Sequence, residues 1–142
     1  MKNLISLARQ YGLTFIVFLL VDSVWLGVIA PDFYRRHIGF LLAETPDWTA
    51  AALFYLLFIA GLVVFAVRPG LRDASLLRAA TRGAFFGLVT YATYDLTNTA
   101  TVKDWPWIVT VVDLAWGSLL CSAVTWTVVA LYRRAVAVPR AD

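Results

Sequence analysis

Between Tyr11 and Ala30 the chain runs for twenty residues with a single charged side chain, and between Trp48 and Val67 for twenty with none. About 20 apolar residues are what a helix needs to cross the hydrocarbon of a bilayer. In lipid every backbone N–H and C=O has to find its partner within the structure, so such segments are helical unless they close into a barrel. Two later stretches, about 80–98 and 107–131, have the same character with a larger polar share. Four spans use up most of the 142 residues. The expected fold is therefore all-α: a polytopic membrane protein whose four transmembrane helices form a bundle, one integral membrane domain over 1–142. Hydrophobic residues make up 61% of the chain, against roughly 45–50% in soluble domains.

The breaks between spans carry their own signals. Pro31 is expected to close the first span. The following stretch, Asp32 to Glu44, mixes Arg35, Arg36 and His37 with Phe33, Tyr34, Ile38 and Phe40, the pattern of a short interfacial helix in the first outer loop. Thr45, Pro46, Asp47 and Trp48 predict a helix start with Thr45 as the capping hydroxyl. Pro69 and Gly70 predict a break before a helix capped by Asp73. Lys103 to Trp107 predicts a tight turn with Asp104 as cap and Pro106 in the first helical turn.

Basic residues in short loops set orientation. Lys2, Arg9, Arg68, Arg72, Arg78, Arg82, Arg133, Arg134 and Arg140 fall on one side, and Arg35, Arg36 and Lys103 on the other. Nine against three predicts cytoplasmic N and C termini for a multi-pass protein. The net charge of +3 lies beside apolar segments instead of forming a stripe, so no nucleic-acid partner is expected. One cysteine, Cys121, and one histidine, His37, exclude an internal disulfide and paired histidine ligation of a haem within the chain. No metal or other cofactor is called for, and the expected partners are membrane lipids and a small amphipathic or lipid-like ligand.

Function is sought where the sequence breaks its own rule. Asp22, Asp95 and Asp113 lie within spans, and a carboxylate there costs about 2.5–3.5 kcal/mol on insertion scales. With the predicted topology all three fall in the outer half, Asp95 and Asp113 about 9 Å beyond the middle at 1.5 Å of rise per residue. Asp22 and Asp113 each stand in a Val-Asp-x-x-Trp string, which puts Trp25 and Trp116 one turn on. On the third span Gly83, Gly87, Tyr91, Tyr94, Asp95 and Asn98 share about a third of the helix circumference. Its glycines predict a close helix contact, and the Gly83/Gly87 face is where a homodimer contact is expected.

These residues predict a ligand-binding pocket opening toward the outer leaflet, lined by Asp22, Trp25, Tyr91, Tyr94, Asp95, Asn98, Asp113 and Trp116. With no basic side chain to neutralise the acids, shared protons are the cheapest arrangement, and they predict proton-linked binding or transport of a small amphipathic or cationic ligand. Two alternatives stay open: an intramembrane acid/base enzyme acting on a lipid, isoprenoid or quinone, and an accessory subunit whose acids only lock the bundle. No residue is assigned a catalytic role.

The Tyr94-Asp95-Leu96-Thr97-Asn98 string, with Asp22 and Trp25 before it and Asp113, Trp116 and Gly117 after it, resembles a family of bacterial predicted membrane proteins catalogued as domain of unknown function 2177. The YDxTN and DxxWG segments carry the likeness, which covers nearly the whole chain. It implies a four-span protein of the bacterial inner membrane and implies no activity.

Overall fold

The computed structural model describes residues 2–137 and is helical throughout, with no strand among them. Arg140, counted above for orientation, lies outside the described residues, as does the side chain of Lys2. The elements are α1 (Lys2–Val24), α2 (Ala30–Ile38), α3 (Trp48–Leu62), α4 (Arg68–Arg72), α5 (Leu76–Thr101) and α6 (Trp107–Ala137). Wide π turns at Trp25–Ile29 and Val63–Val67 join α1 to α2 and α3 to α4, and a 3₁₀ turn, Gly39–Leu41, follows α2.

Three continuous helical stretches are long and apolar enough to cross a membrane among the described residues: Leu4–Leu41, Trp48–Arg72 and Trp107–Ala135. At 26 residues α5 has the length as well. It is the most polar of the four, with Arg78, Thr81, Arg82, Thr93, Thr97 and Thr101 on its exposed side and Asp95 buried.

Neither proline breaks its helix, which corrects the expectation at Pro31 and Pro69. In both places the proline follows directly on a residue that donates across a π turn: the Ala30 N–H to the Trp25 carbonyl, and the Arg68 N–H to the Val63 carbonyl. A proline ring inside an α-helix clashes with the carbonyl four residues back and lacks the N–H that would bond it. One widened turn ahead of the ring relieves both problems. The amphipathic Ala30–Ile38 segment is thus helical, but continuous with α1 instead of standing apart.

The caps are also redistributed. Asp47, not Thr45, caps α3, accepting from the N–H groups of Thr49 and Ala50 at 2.8 and 3.0 Å. Ser75, not Asp73, caps α5 through the Leu77 N–H at 3.1 Å. Asp73 instead accepts from the Arg82 Nε at 2.7 Å, and its main-chain carbonyl, with that of Gly70, takes the Arg133 guanidinium. Asp104 caps nothing among the described residues. It holds the left-handed conformation, φ 60°, that turns α5 into α6, a conformation Asp and Asn tolerate better than most residues.

The closest pair in the bundle is α5 against α6. A Cβ on Gly83 would collide with the Cys121 carbonyl, and one on Gly87 with the Gly117 carbonyl. The Gly83/Gly87 face is therefore filled within the chain, and a homodimer through it would have to displace α6. This corrects the expected dimer contact. Small residues let the two backbones touch, as in other membrane helix pairs. A dry core follows on the side of the chain termini, where Phe18, Ile59, Leu62, Leu120, Val124 and Val128 are all 1% exposed or less. A smaller cluster of Ile38, Trp105 and Val109, with Phe33 and Tyr34, seats α2 over the ends of α5 and α6 that lie next to the turn joining them.

Gly87→Leu is expected to pry α5 from α6, to cost about 1–3 kcal/mol of unfolding free energy, the usual cost of overpacking, and so to lower the midpoint of unfolding in detergent. Gly12→Leu, at a site with nothing within 4 Å of an added Cβ, should leave that midpoint in place. A second measurement addresses Asp73, whose carboxyl the bonded Arg82 holds below its ordinary value of 3.8. A carboxyl lowered in the folded state stabilises in full above its unfolded value and loses that contribution as pH falls through the folded one. The difference in melting temperature between the wild type and Asp73→Asn should therefore be present at neutral pH and close below about pH 4.

Candidate functional site

Carboxylates can stay in a water-poor interior only if donors surround them, because leaving a buried polar group unpaired costs about 1–3 kcal/mol and more for a charge. The structure supplies tyrosines. Asp22 is 6% exposed and accepts from the Tyr55 hydroxyl at 2.9 Å, which ties α1 to α3. Asp113 is 6% exposed and accepts from the Tyr34 hydroxyl at 2.5 Å, which ties α6 to α2. The Trp116 indole lies beside Asp22 without the alignment of a good hydrogen bond.

Asp95 is the exception. It is 1% exposed, and neither of its oxygens has a hydrogen-bond donor. Its acidic neighbour is Asp113, whose carboxyl lines the same cavity and is close enough to interact with it. Two carboxylate oxygens are both acceptors, so this contact becomes a bond only when a proton lies between them.

These two acids form the floor of an open cavity of about 470 Å³ whose other walls are Phe54, Phe58, Thr90, Tyr91 and Tyr94. Along this stretch α3 and α5 meet through ring edges, Phe58 on Tyr91 with centroids 6.3 Å apart. Phe54 is 48% and Tyr94 60% exposed, which marks the mouth on the lipid-facing surface. The Trp105 indole donates to Thr110 at 3.1 Å, and the Thr110 and Thr99 hydroxyls are 2.6 Å apart, pinning the end of α5 to the start of α6.

Of the residues the sequence singled out, four line the cavity: Tyr91, Tyr94, Asp95 and Asp113. Tyr91 also packs on Gly117 and is within electrostatic reach of both Asp22 and Asp113. The other four stand apart from its walls. Trp25 and Trp116 stack on each other with centroids 4.7 Å apart and planes at 13°. Asp22 lies beside Trp116, and half-buried Asn98 serves the helix end, where its carbonyl accepts from Val102 at 2.8 Å. Among the outer tryptophans, Trp48 and Trp107 are 76% and 65% exposed, as an aromatic belt requires, while Trp105 is buried and hydrogen-bonded instead.

Tyr34 and Tyr55 are the residues that sequence reasoning passed over. Each had a signal: a phenol within an apolar helical face needs a partner for its hydroxyl, and Tyr55 is the only hydroxyl besides Thr49 in the uncharged second run. Phe54, Phe58 and Thr90 had none, since a cavity wall and a lipid-facing surface have the same composition. Among the described residues no group of three or more acidic, histidine or cysteine side chains is placed to hold a metal ion.

A sequence family described as Predicted membrane protein (DUF2177) matches residues 7–130. No curated protein and no solved structure matches the chain.

Tyr34→Phe strips Asp113 of its donor and is expected to cost about 1–3 kcal/mol of stability. Adding Asp113→Leu removes the stranded acceptor, so the double variant should lose less than the sum of the two single losses in detergent unfolding. Strictly additive losses would mean the phenol and the carboxyl do not support each other.

Proposed function

We propose, from the premise that the chain belongs to the predicted membrane protein family DUF2177, that Asp95 and Asp113 form a proton-exchanging site for a small cationic or hydrogen-bond-donating amphiphile reached sideways from the lipid. The observation that carries this reading is Asp95: almost wholly buried, without a donor for either oxygen, and at the floor of an open cavity. A carboxyl kept only to lock helices would be expected to end on a donor, as Asp22 and Asp113 do on Tyr55 and Tyr34. An unpaired buried acceptor is a place for a donor that arrives with a ligand.

The chemistry follows from the acid pair. One proton between Asp95 and Asp113 satisfies one oxygen of each and halves the charge on the floor. An ammonium entering past Phe54 and Tyr94 takes its place, donating to the carboxyls while the rings around it favour a cation. One proton then leaves for each ammonium bound, so affinity rises with pH as long as the ligand stays charged. Asp22, held by Tyr55 and set beside the Trp25–Trp116 stack, positions α1 and α6 behind the site. The excess of basic residues on one side supports cytoplasmic termini and a cavity in the outer half, and the resemblance to bacterial predicted membrane proteins supports residence in a bacterial inner membrane.

Titration of the protein in lipid nanodiscs with butylamine, run calorimetrically in two buffers of different ionisation enthalpy, tests this. Binding with release of about one proton is expected, and Asp95→Asn should weaken it about tenfold or more. Equal binding by the wild type and Asp95→Asn, or binding without proton release, would refute the site.

A further inference from the structure

The cavity above Asp95 and Asp113 does not end at Phe58. A second cavity of about 480 Å³ shares Phe54, Phe58 and Thr90 with it and continues along α3 and α5 between Gly61, Val64, Phe65 and Phe86. Nothing in this second stretch offers a free hydrogen bond. The Thr90 hydroxyl is already spent on the carbonyls of Phe86 and Gly87, at 2.9 and 3.1 Å. The floor is low because Gly61 faces the Phe86 ring closely, an added Cβ coming to 3.0 Å from it. Rings wall it in: Phe58 stands edge-on to Phe86 with centroids 5.4 Å apart, and Phe65 lies nearly parallel to Phe86 at 6.3 Å.

We infer that the two cavities are one groove for a long-chain primary amine, its ammonium on Asp95 and Asp113 and its single hydrocarbon tail along Phe58, Phe86 and Val64. This rests on the proposed function and narrows it to a ligand class. Charge selects the head: the polar end of the groove holds two carboxyls and no basic side chain. Shape selects the tail. The nine helical steps from Phe86 to Asp95 rise about 13.5 Å along α5, the length of roughly ten extended methylenes. A groove walled by rings on both sides and without polar groups holds a tail by close packing, the term that still discriminates between apolar surfaces for a chain already out of water in the bilayer. A two-chain lipid would leave its second tail outside the groove.

The test compares dodecylamine with butylamine in phosphatidylcholine nanodiscs, for the wild type, Val64→Trp and Asp95→Asn. Because partition into lipid is common to all three proteins, differences in the preference for the longer amine report on the groove. Val64 is 49% exposed, so tryptophan there is expected to be tolerated by the fold while obstructing the tail. The wild-type preference for dodecylamine should drop about tenfold in Val64→Trp, whereas Asp95→Asn should weaken both amines together. A dodecylamine analogue with a diazirine at its tail end should label residues near Val64, Phe65 or Phe86 in the wild type. An unchanged preference in Val64→Trp, or labelling elsewhere, would overturn the tail groove and leave the amine site standing. Dodecanol binding as tightly as dodecylamine would overturn the choice of an amine head. If neither amine binds the wild type, the proposed function itself falls.

Discussion

Three carboxyls and no lysine or arginine at their depth leave hydroxyls, indoles and shared protons as the means of holding the acids in this bundle. That constraint explains more of the architecture than the apolar surface does. Apolar side chains gain little by choosing one another over lipid tails, so packing and hydrogen bonding decide which helices meet. Tyr55 reaches Asp22 from α3, and Tyr34 reaches Asp113 from α2. Each bond joins two elements that hydrophobicity alone would leave free to slide.

The same logic separates Asp95 from its neighbours. It occupies a stretch of α5 where that helix faces α6 on one side and a gap toward α3 on the other. The glycine contacts below bring α5 close against α6, and Asp95 and Asp113 reach the same cavity from the two helices. Tyr34 serves Asp113, and no donor reaches Asp95. The pair is thus a consequence of backbone packing several residues away, with Gly87 and Gly117 as its foundation. Pro31 contributes at longer range: by staying helical behind a π turn, it lets α2 continue from α1 over the end of the bundle where α5 turns into α6 and Tyr34 meets Asp113.

Much of this was readable from the chain, and what was not has identifiable causes. The α5 face of Gly83, Gly87, Tyr91 and Asp95 is legible because helical spacing alone puts those residues in one row. The identity of the helix it meets is not, because a glycine face suits a second copy as well as α6, and only the observed collision with the Gly117 carbonyl distinguishes them. Trp25 and Trp116 are legible as partners of acids one turn away, but not as partners of each other, since that stack depends on the lateral approach of α1 and α6. The helix breaks at Pro31 and Pro69 were misread because a lone proline signals a stop only when the preceding turn keeps α-helical pairing.

By itself the sequence determined that this chain lives in a membrane as packed helices, and that its acids are buried, because both follow from local composition and from the requirement that backbone polar groups be satisfied in lipid. Tertiary structure alone decided which acid keeps an open oxygen, which helix covers the glycines and where the gap between α3 and α5 lies. Those outcomes depend on the angle and distance between helices that are remote in sequence, set by the sizes of a few facing side chains that no one-dimensional pattern records.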